Sequence, residues 1–152
     1  MATSHDGSIL LKMKELLATR SPLEGLNWMT MPDFDARLLS TPTARLWIET
    51  KEPANAGYGF ENLYQYKLIM VVGITIPWEI AGNEDERTLY IYENEIRVAV
   101  IENRTLSVDG ITVTDIVPGG VRFMAILGEE DGVMMSDGME FNIEVSYTEV
   151  IT

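Results

Sequence analysis

Leu63-Tyr-Gln-Tyr-Lys-Leu-Ile-Met-Val-Val-Gly-Ile-Thr-Ile76 is a long alternating run. Tyr64, Tyr66, Leu68, Met70, Val72, Ile74 and Ile76 fall on one side of a two-residue period, which marks a strand. The opposite side reads Gln65, Lys67, Ile69, Val71, Gly73, Thr75, polar first and apolar later. The strand is therefore expected to leave solvent and enter a region covered on both faces. Pro77 ends it, since a residue without an N–H cannot continue a central ladder. Past a polar turn at Gly82-Asn83, Leu89, Tyr92, Ile96, Ala99 and Val100 recur at three- and four-residue steps, with charged residues mostly between them. This predicts an amphipathic helix with one apolar stripe, folding back on the strand.

The flanking chain supplies partners for this unit. Ile9, Leu10, Met13, Leu16 and Leu17 predict a first short helix, with Ser4, Asp6 or Ser8 as N-cap and a stop near Arg20-Ser21-Pro22. Residues 1–7 are expected to be loose, and the only histidine, His5, falls there, away from the fixed geometry a general base needs. Residues 23–42 lack a period and carry Pro32 and Pro42. They read as an irregular linker whose Trp28, Met29, Met31, Phe34, Leu38 and Leu39 pack on the core. Ala44 to Thr50 alternates as a strand. Glycines 57 and 59 lack the strand-glycine-helix order of a phosphate loop, so Tyr58 and Phe60 are read as the tip of a hairpin arm.

Beyond the second helix, residues 103–111 read as a connection with a turn at Asp109-Gly110. Val113 to Val117 and Val121 to Leu127, split by Pro118-Gly119-Gly120, predict one bent strand or a short pair. Met139 to Thr148 alternates cleanly, with Met139, Phe141, Ile143, Val145 and Tyr147 on one side. The chain is thus expected to form one α+β domain over 1–152. Its architecture is a mixed, mainly antiparallel sheet of about four to five strands with two helices packed on one face.

Composition narrows function. The 152 residues include no cysteine, which removes disulfides, thiolate metal sites and a cysteine nucleophile. No apolar run reaches the roughly 18 residues of a membrane span, and the N-terminus lacks a signal-peptide pattern, so a soluble protein made in the cytoplasm is expected. Eleven Lys and Arg face 24 Asp and Glu, a formal net charge of −13, which opposes the counterion release that tight nucleic-acid binding requires. No serine elbow, histidine pair or nucleotide fingerprint is present. The acidic clusters at 83–86 and 129–131 invite a metal or glycosidase site. The first sits at a helix start, where negative charge is favoured by the dipole, and the second lacks the ligand order of a calcium loop. No catalytic residue, metal site or cofactor is assigned.

Several motifs together resemble a known family. These are the Tyr-x-Tyr-x-Leu-x-x-x-Val strand from Tyr64 to Val72, the Glu93-Asn-Glu-Ile-Arg-Val-Ala99 helix, the Thr105-Leu-Ser-Val-Asp-Gly-Ile linker and the Phe-x-Ile-x-Val-x-Tyr strand from Phe141 to Tyr147. They resemble the tail terminator, or tail completion, proteins of long-tailed bacteriophages across nearly the whole chain. The resemblance implies a homo-oligomeric ring, typically a hexamer, that caps the tail tube protein and joins it to the head–tail connector or neck. DNA would pass through it without specific binding, and the protein would reside in the virion tail. Candidate channel-lining or interface residues are then Glu129, Glu130, Asp131 and Asp137, and Tyr58 and Phe60 form the candidate subunit-contact arm. Related neck and head-completion proteins remain an alternative, as does, from another class, a carboxylate-dependent metal-binding hydrolase.

Overall fold

The computed structural model describes residues 5–30, 42–53, 63–77, 85–108, 111–126 and 136–150. Helix α1 spans His5–Ala18 and is followed by a 3-10 turn, Leu23–Gly25. Strands β1 (Asn27–Met29), β2 (Thr43–Pro53) and β3 (Leu63–Pro77) lead to helix α2 (Asp85–Glu102). Strands β4 (Ser107–Val108), β5 (Ile111–Ile126) and β6 (Ser136–Val150) complete one sheet in the order β1-β2-β3-β6-β5-β4. The fold is α+β with a mixed sheet: β1 and β2 are parallel and every other neighbouring pair is antiparallel.

The long alternating strand stands at the centre. β3 pairs with β2 on one side and along its whole length with β6 on the other, from Leu63 opposite Val150 to Pro77 opposite Ser136. Its second face follows the expected gradient: Gln65 is exposed, Lys67 and Ile69 are half-buried, and Val71 and Thr75 are buried. On β6 the alternation sorts the side chains without exception, with Met139, Phe141, Ile143, Val145 and Tyr147 all buried. Full burial of such a side chain is worth roughly 1.5–3 kcal/mol.

Both helices meet this same row of β6. Ile9, Met13 and Leu17 of α1 and Leu89, Ile96, Ala99 and Val100 of α2 join one core cluster with it and with Leu68, Met70, Val72 and Ile74 of β3. Tyr147 contacts Asp6 of α1, and the Arg97 guanidinium of α2 lies 5.0 Å from the Phe141 ring centroid. Arg20, just past α1, ties the helices together, with Nε donating to Glu95 at 2.8 Å and Nη1 to Glu102 at 3.1 Å.

Several expectations need correction. Residues 5–7 are the first turn of α1, not a loose end. Asp6 is inside that turn and is no N-cap, because its carboxylate is held by Tyr147 and Lys51. Within 23–42, Leu23–Gly25 forms a 3-10 turn and Asn27–Met29 a short edge strand, with the Trp28 indole donating to the Leu23 carbonyl at 2.8 Å. The 103–111 connection contains β4, paired with Ile111 and Thr112. These edge pieces, three and two residues long, extend the four long strands to six. Neither is long enough to display a period.

The Pro118 region resolves as one bent strand. β5 pairs with β6 from Ile111 to Ile126, with register breaks between Val113 and Asp115 and between Pro118 and Val121. Such bulges add a residue and bend a strand without ending it. A Cβ on Gly119 would sit 3.0 Å from the Asn142 carbonyl oxygen, a backbone atom held in the ladder, whereas a Cβ on Gly120 meets open space. Gly119→Ala is accordingly expected to lower stability by about 1–3 kcal/mol and Gly120→Ala by much less, as read from paired urea denaturation curves; equal losses would contradict the close approach.

Candidate assembly surfaces

The proposed functional residues fall into two groups. Tyr58, Phe60, Glu129, Glu130 and Asp131 lie outside the described residues. Asp137 stands near the start of β6, opposite Ile76 of β3 and Ala125 of β5. The topology nevertheless says where the connecting segments attach. β3 and β5 end, and β2 and β6 begin, at one end of the sheet, because Thr43 pairs with Thr75, Ser136 with Pro77 and Ile126 with Ser136. Segments 78–84 and 127–135 leave from this end, and 31–41 returns to it. Together they carry seven acids, Glu129, Glu130 and Asp131 among them, against the single Arg37.

The body of the sheet is charged but paired. Lys51 meets Asp6, Lys67 meets Glu144, Arg97 meets Glu93, Arg104 meets Asp115 and Arg122 meets Glu140, all within 3.1 Å. The connectors attached at the Pro77 end thus hold nearly half of the negative excess. Paired surface ions contribute little stability each.

Among the described residues, the two long borders of the sheet are only partly covered. β1 pairs with Thr43–Arg45 of β2, and β4 with Ile111–Thr112 of β5. Among the described residues no strand pairs with the outer border of 46–53 or of 113–126. Strand directions alternate from β2 through β3 and β6 to β5, so these borders run in opposite directions. Each is also interrupted: a register break lies between Ile48 and Thr50, and Pro118, the second break and the Arg104–Asp115 pair occupy the other. Bulges, prolines and charges of this kind limit edge pairing to short lengths.

The sheet face away from the helices has its own relief. Gly73 leaves room for Arg45 and Trp47, whose guanidinium and indole lie 5.0 Å apart, since a Cβ there would come within 2.8 Å of Arg45. Beside them a recess of about 380 Å³ is lined by Glu49, Val71, Gly120, Arg122, Glu140 and Asn142. The Arg122–Glu140 bond at 2.5 Å is part of this wall. The lining is mainly polar, with Val71 and Val121 as its apolar side chains. Among the described residues no group of three or more His, Cys, Asp or Glu is placed to hold a metal ion, and no helix is long and apolar enough to cross a membrane.

At the opposite end of the sheet, α1 is anchored by a polar cluster. The buried Tyr147 hydroxyl donates to Asp6 at 2.6 Å, Lys51 Nζ donates to the other Asp6 oxygen at 3.1 Å, and Lys51 also lies 4.4 Å from the Tyr66 ring, which stacks on Tyr147. Neither Asp6 nor Lys51 was singled out for this role by the sequence, because the partners are separated by up to 141 positions.

Comparisons with known proteins add little. No family model matches the chain, and no curated protein matches it. Solved structures similar to it include one chain at 14% identity, with TM-score 0.46, over 95% of this chain and 96% of that one. Likeness at that distance carries no functional argument.

The Tyr147 cluster has a pH signature. Burial, then the bond to Asp6, push the phenol well above its ordinary range. A folded-state value above the unfolded one, about 10, means that stability is complete below that pH and is lost as pH rises beyond it. Tyr147→Phe is expected to cost about 1–2 kcal/mol at neutral pH and to flatten the alkaline decline, as measured by urea denaturation from neutral to strongly alkaline pH. An unchanged alkaline slope would contradict the cluster.

Proposed function

We propose that the chain is a structural subunit of a long-tailed phage particle, a tail terminator whose copies form a ring that caps the tail tube and meets the head connector. The motif resemblance suggests the class, and one structural observation carries the reading. Among the described residues no strand pairs with the outer border of 46–53 in β2 or of 113–126 in β5, and these unlike borders run in opposite directions. A second copy added in the same orientation brings its β2 border antiparallel to the β5 border of the first. Repetition of such a head-to-tail step closes a ring when the rotation fits. The short, interrupted borders favour brief contacts over unlimited sheet growth.

The charge distribution supports a channel at the Pro77 end. Connectors attached there carry seven acids, and an acidic wall gives the DNA backbone no counterion-releasing contact. Glu129, Glu130 and Asp131 are the residues assigned to that wall. A neck or head-completion protein is the alternative, and the tube is the partner that separates the two.

Tail tubes polymerised with the purified chain are expected to stop at a shorter, narrower range of lengths and to show a cap by electron microscopy. Unaltered lengths with bare ends would overturn the terminator reading, and binding to the connector alone would move the protein to the neck. Replacing Glu129, Glu130 and Asp131 together with Lys should leave capping intact while slowing DNA passage through joined particles. Normal passage would remove the lining role from these residues.

A further inference from the structure

The bulge in β2 decides which way the charges of that strand point. Arg45 and Trp47 stand opposite Gly73 and Val71 on the sheet face away from the helices, and plain alternation would put Lys51 beside them. Glu49 is the extra residue between Ile48, opposite Met70, and Thr50, opposite Ile69. Lys51 therefore stands opposite Leu68 and turns to the helix side, where it meets Asp6. Glu49 is left as an exposed carboxylate lining the recess of the far face, and among the described residues no ion pair holds it. The β5 border has the opposite sign outermost. Arg122 and Arg104 are the most exposed cations among the described ion pairs, at 73% and 59%, against 27% for Glu140 and 39% for Asp115. In a chain of net charge −13, which repels its own copy over most of its surface, these two unlike borders attract.

We propose that Arg122 of one copy meets Glu49 of the next, with residues 46–50 of β2 lying antiparallel along 121–125 of β5. This rests on the head-to-tail step proposed above and names its register, which two constraints set. The first is the cover on β2. β1 occupies the outer border only as far as Arg45, so contact starts at Leu46 and the next copy stands far enough along β5 for β1 to lie past position 125. The second is that directly opposed residues share a sheet face. Val121 and Phe123 stand opposite Phe141 and Met139 on the helix side, and Leu46 and Ile48 opposite Val72 and Met70 on that same side. Position 46 opposite 125 is the first register that meets both constraints. It sets Trp47 against Met124, Ile48 against the part-exposed Phe123 and Glu49 against Arg122. The charge match thus follows from the register, and the bulge at Gly119-Gly120 ends the match after five pairs.

The contact is short. Five pairs bury less than the roughly 1,200 Å² of a standard stable interface, so copies associate weakly until ring closure joins several contacts at once. Arg122 keeps Glu140 while it takes Glu49, since a guanidinium carries several N–H donors.

Charge reversal in the full chain, incubated with tail tubes, tests the pair. Arg122→Glu alone and Glu49→Arg alone each put like charges at every contact and should weaken multimer formation about tenfold or more, read by native mass spectrometry. An equimolar mixture of the two variants should recover it, because their alternation puts unlike charges at every contact. The absence of cysteine allows a second test. Within one subunit, positions 48 and 123 are three strand spacings apart, roughly 14 Å, beyond the roughly 7 Å reach of a disulfide. Oxidised Ile48→Cys/Phe123→Cys chains should therefore form covalent ladders of several copies, and either single variant should give at most traces of dimer. Capped tubes without the cross-link, or without recovery in the mixture, would overturn this register and leave the ring reading standing. Bare tubes with a chain that stays at one subunit would overturn both.

Discussion

The ladder between β3 and β6 is the constraint from which the rest follows. Fifteen residue pairs in unbroken register fix which side chains of both strands share a face. A slip of one residue would turn Phe141, Ile143, Val145 and Tyr147 away from the helices and bring Asn142 and Glu144 in. With that register set, α1 and α2 have one apolar surface to cover, and Tyr147 reaches Asp6. The β2 and β5 ladders then add to the two free sides of the pair, each with a break in register.

Much of this was legible in the residues, for a physical reason. Long strands with one buried face must alternate, so β6 and the core side of β3 could be read directly, as could the both-faces burial of Val71 and Thr75. The buried stripe of α2 was legible in the same way. Short pieces were not: β1 and β4 are set by pairing to a neighbour already in place, and nothing in Asn27-Trp-Met29 alone specifies a strand. Long-range polar contacts were equally hidden, as with Asp6, which looks like an N-cap in sequence and serves as an anchor in space. The exposed Ile91 and Ile101 on the outer side of α2 went unread beside the stronger core stripe.

The candidate surfaces follow from the same architecture. Among the described residues, stretches of both sheet borders pair with no strand, and Ile91 and Ile101 of α2 are exposed. Several cations of the body are held in ion pairs, while seven acids against one arginine lie in the connectors attached at the Pro77 end.

The central claim is that shared surfaces between copies carry the activity, and native mass spectrometry of the chain incubated with tail tubes addresses it most directly. The account predicts a released or tube-bound species of several copies of the 17.1 kDa subunit, with six as the expected number. A chain that remains at the mass of one subunit, with or without tubes, would contradict it.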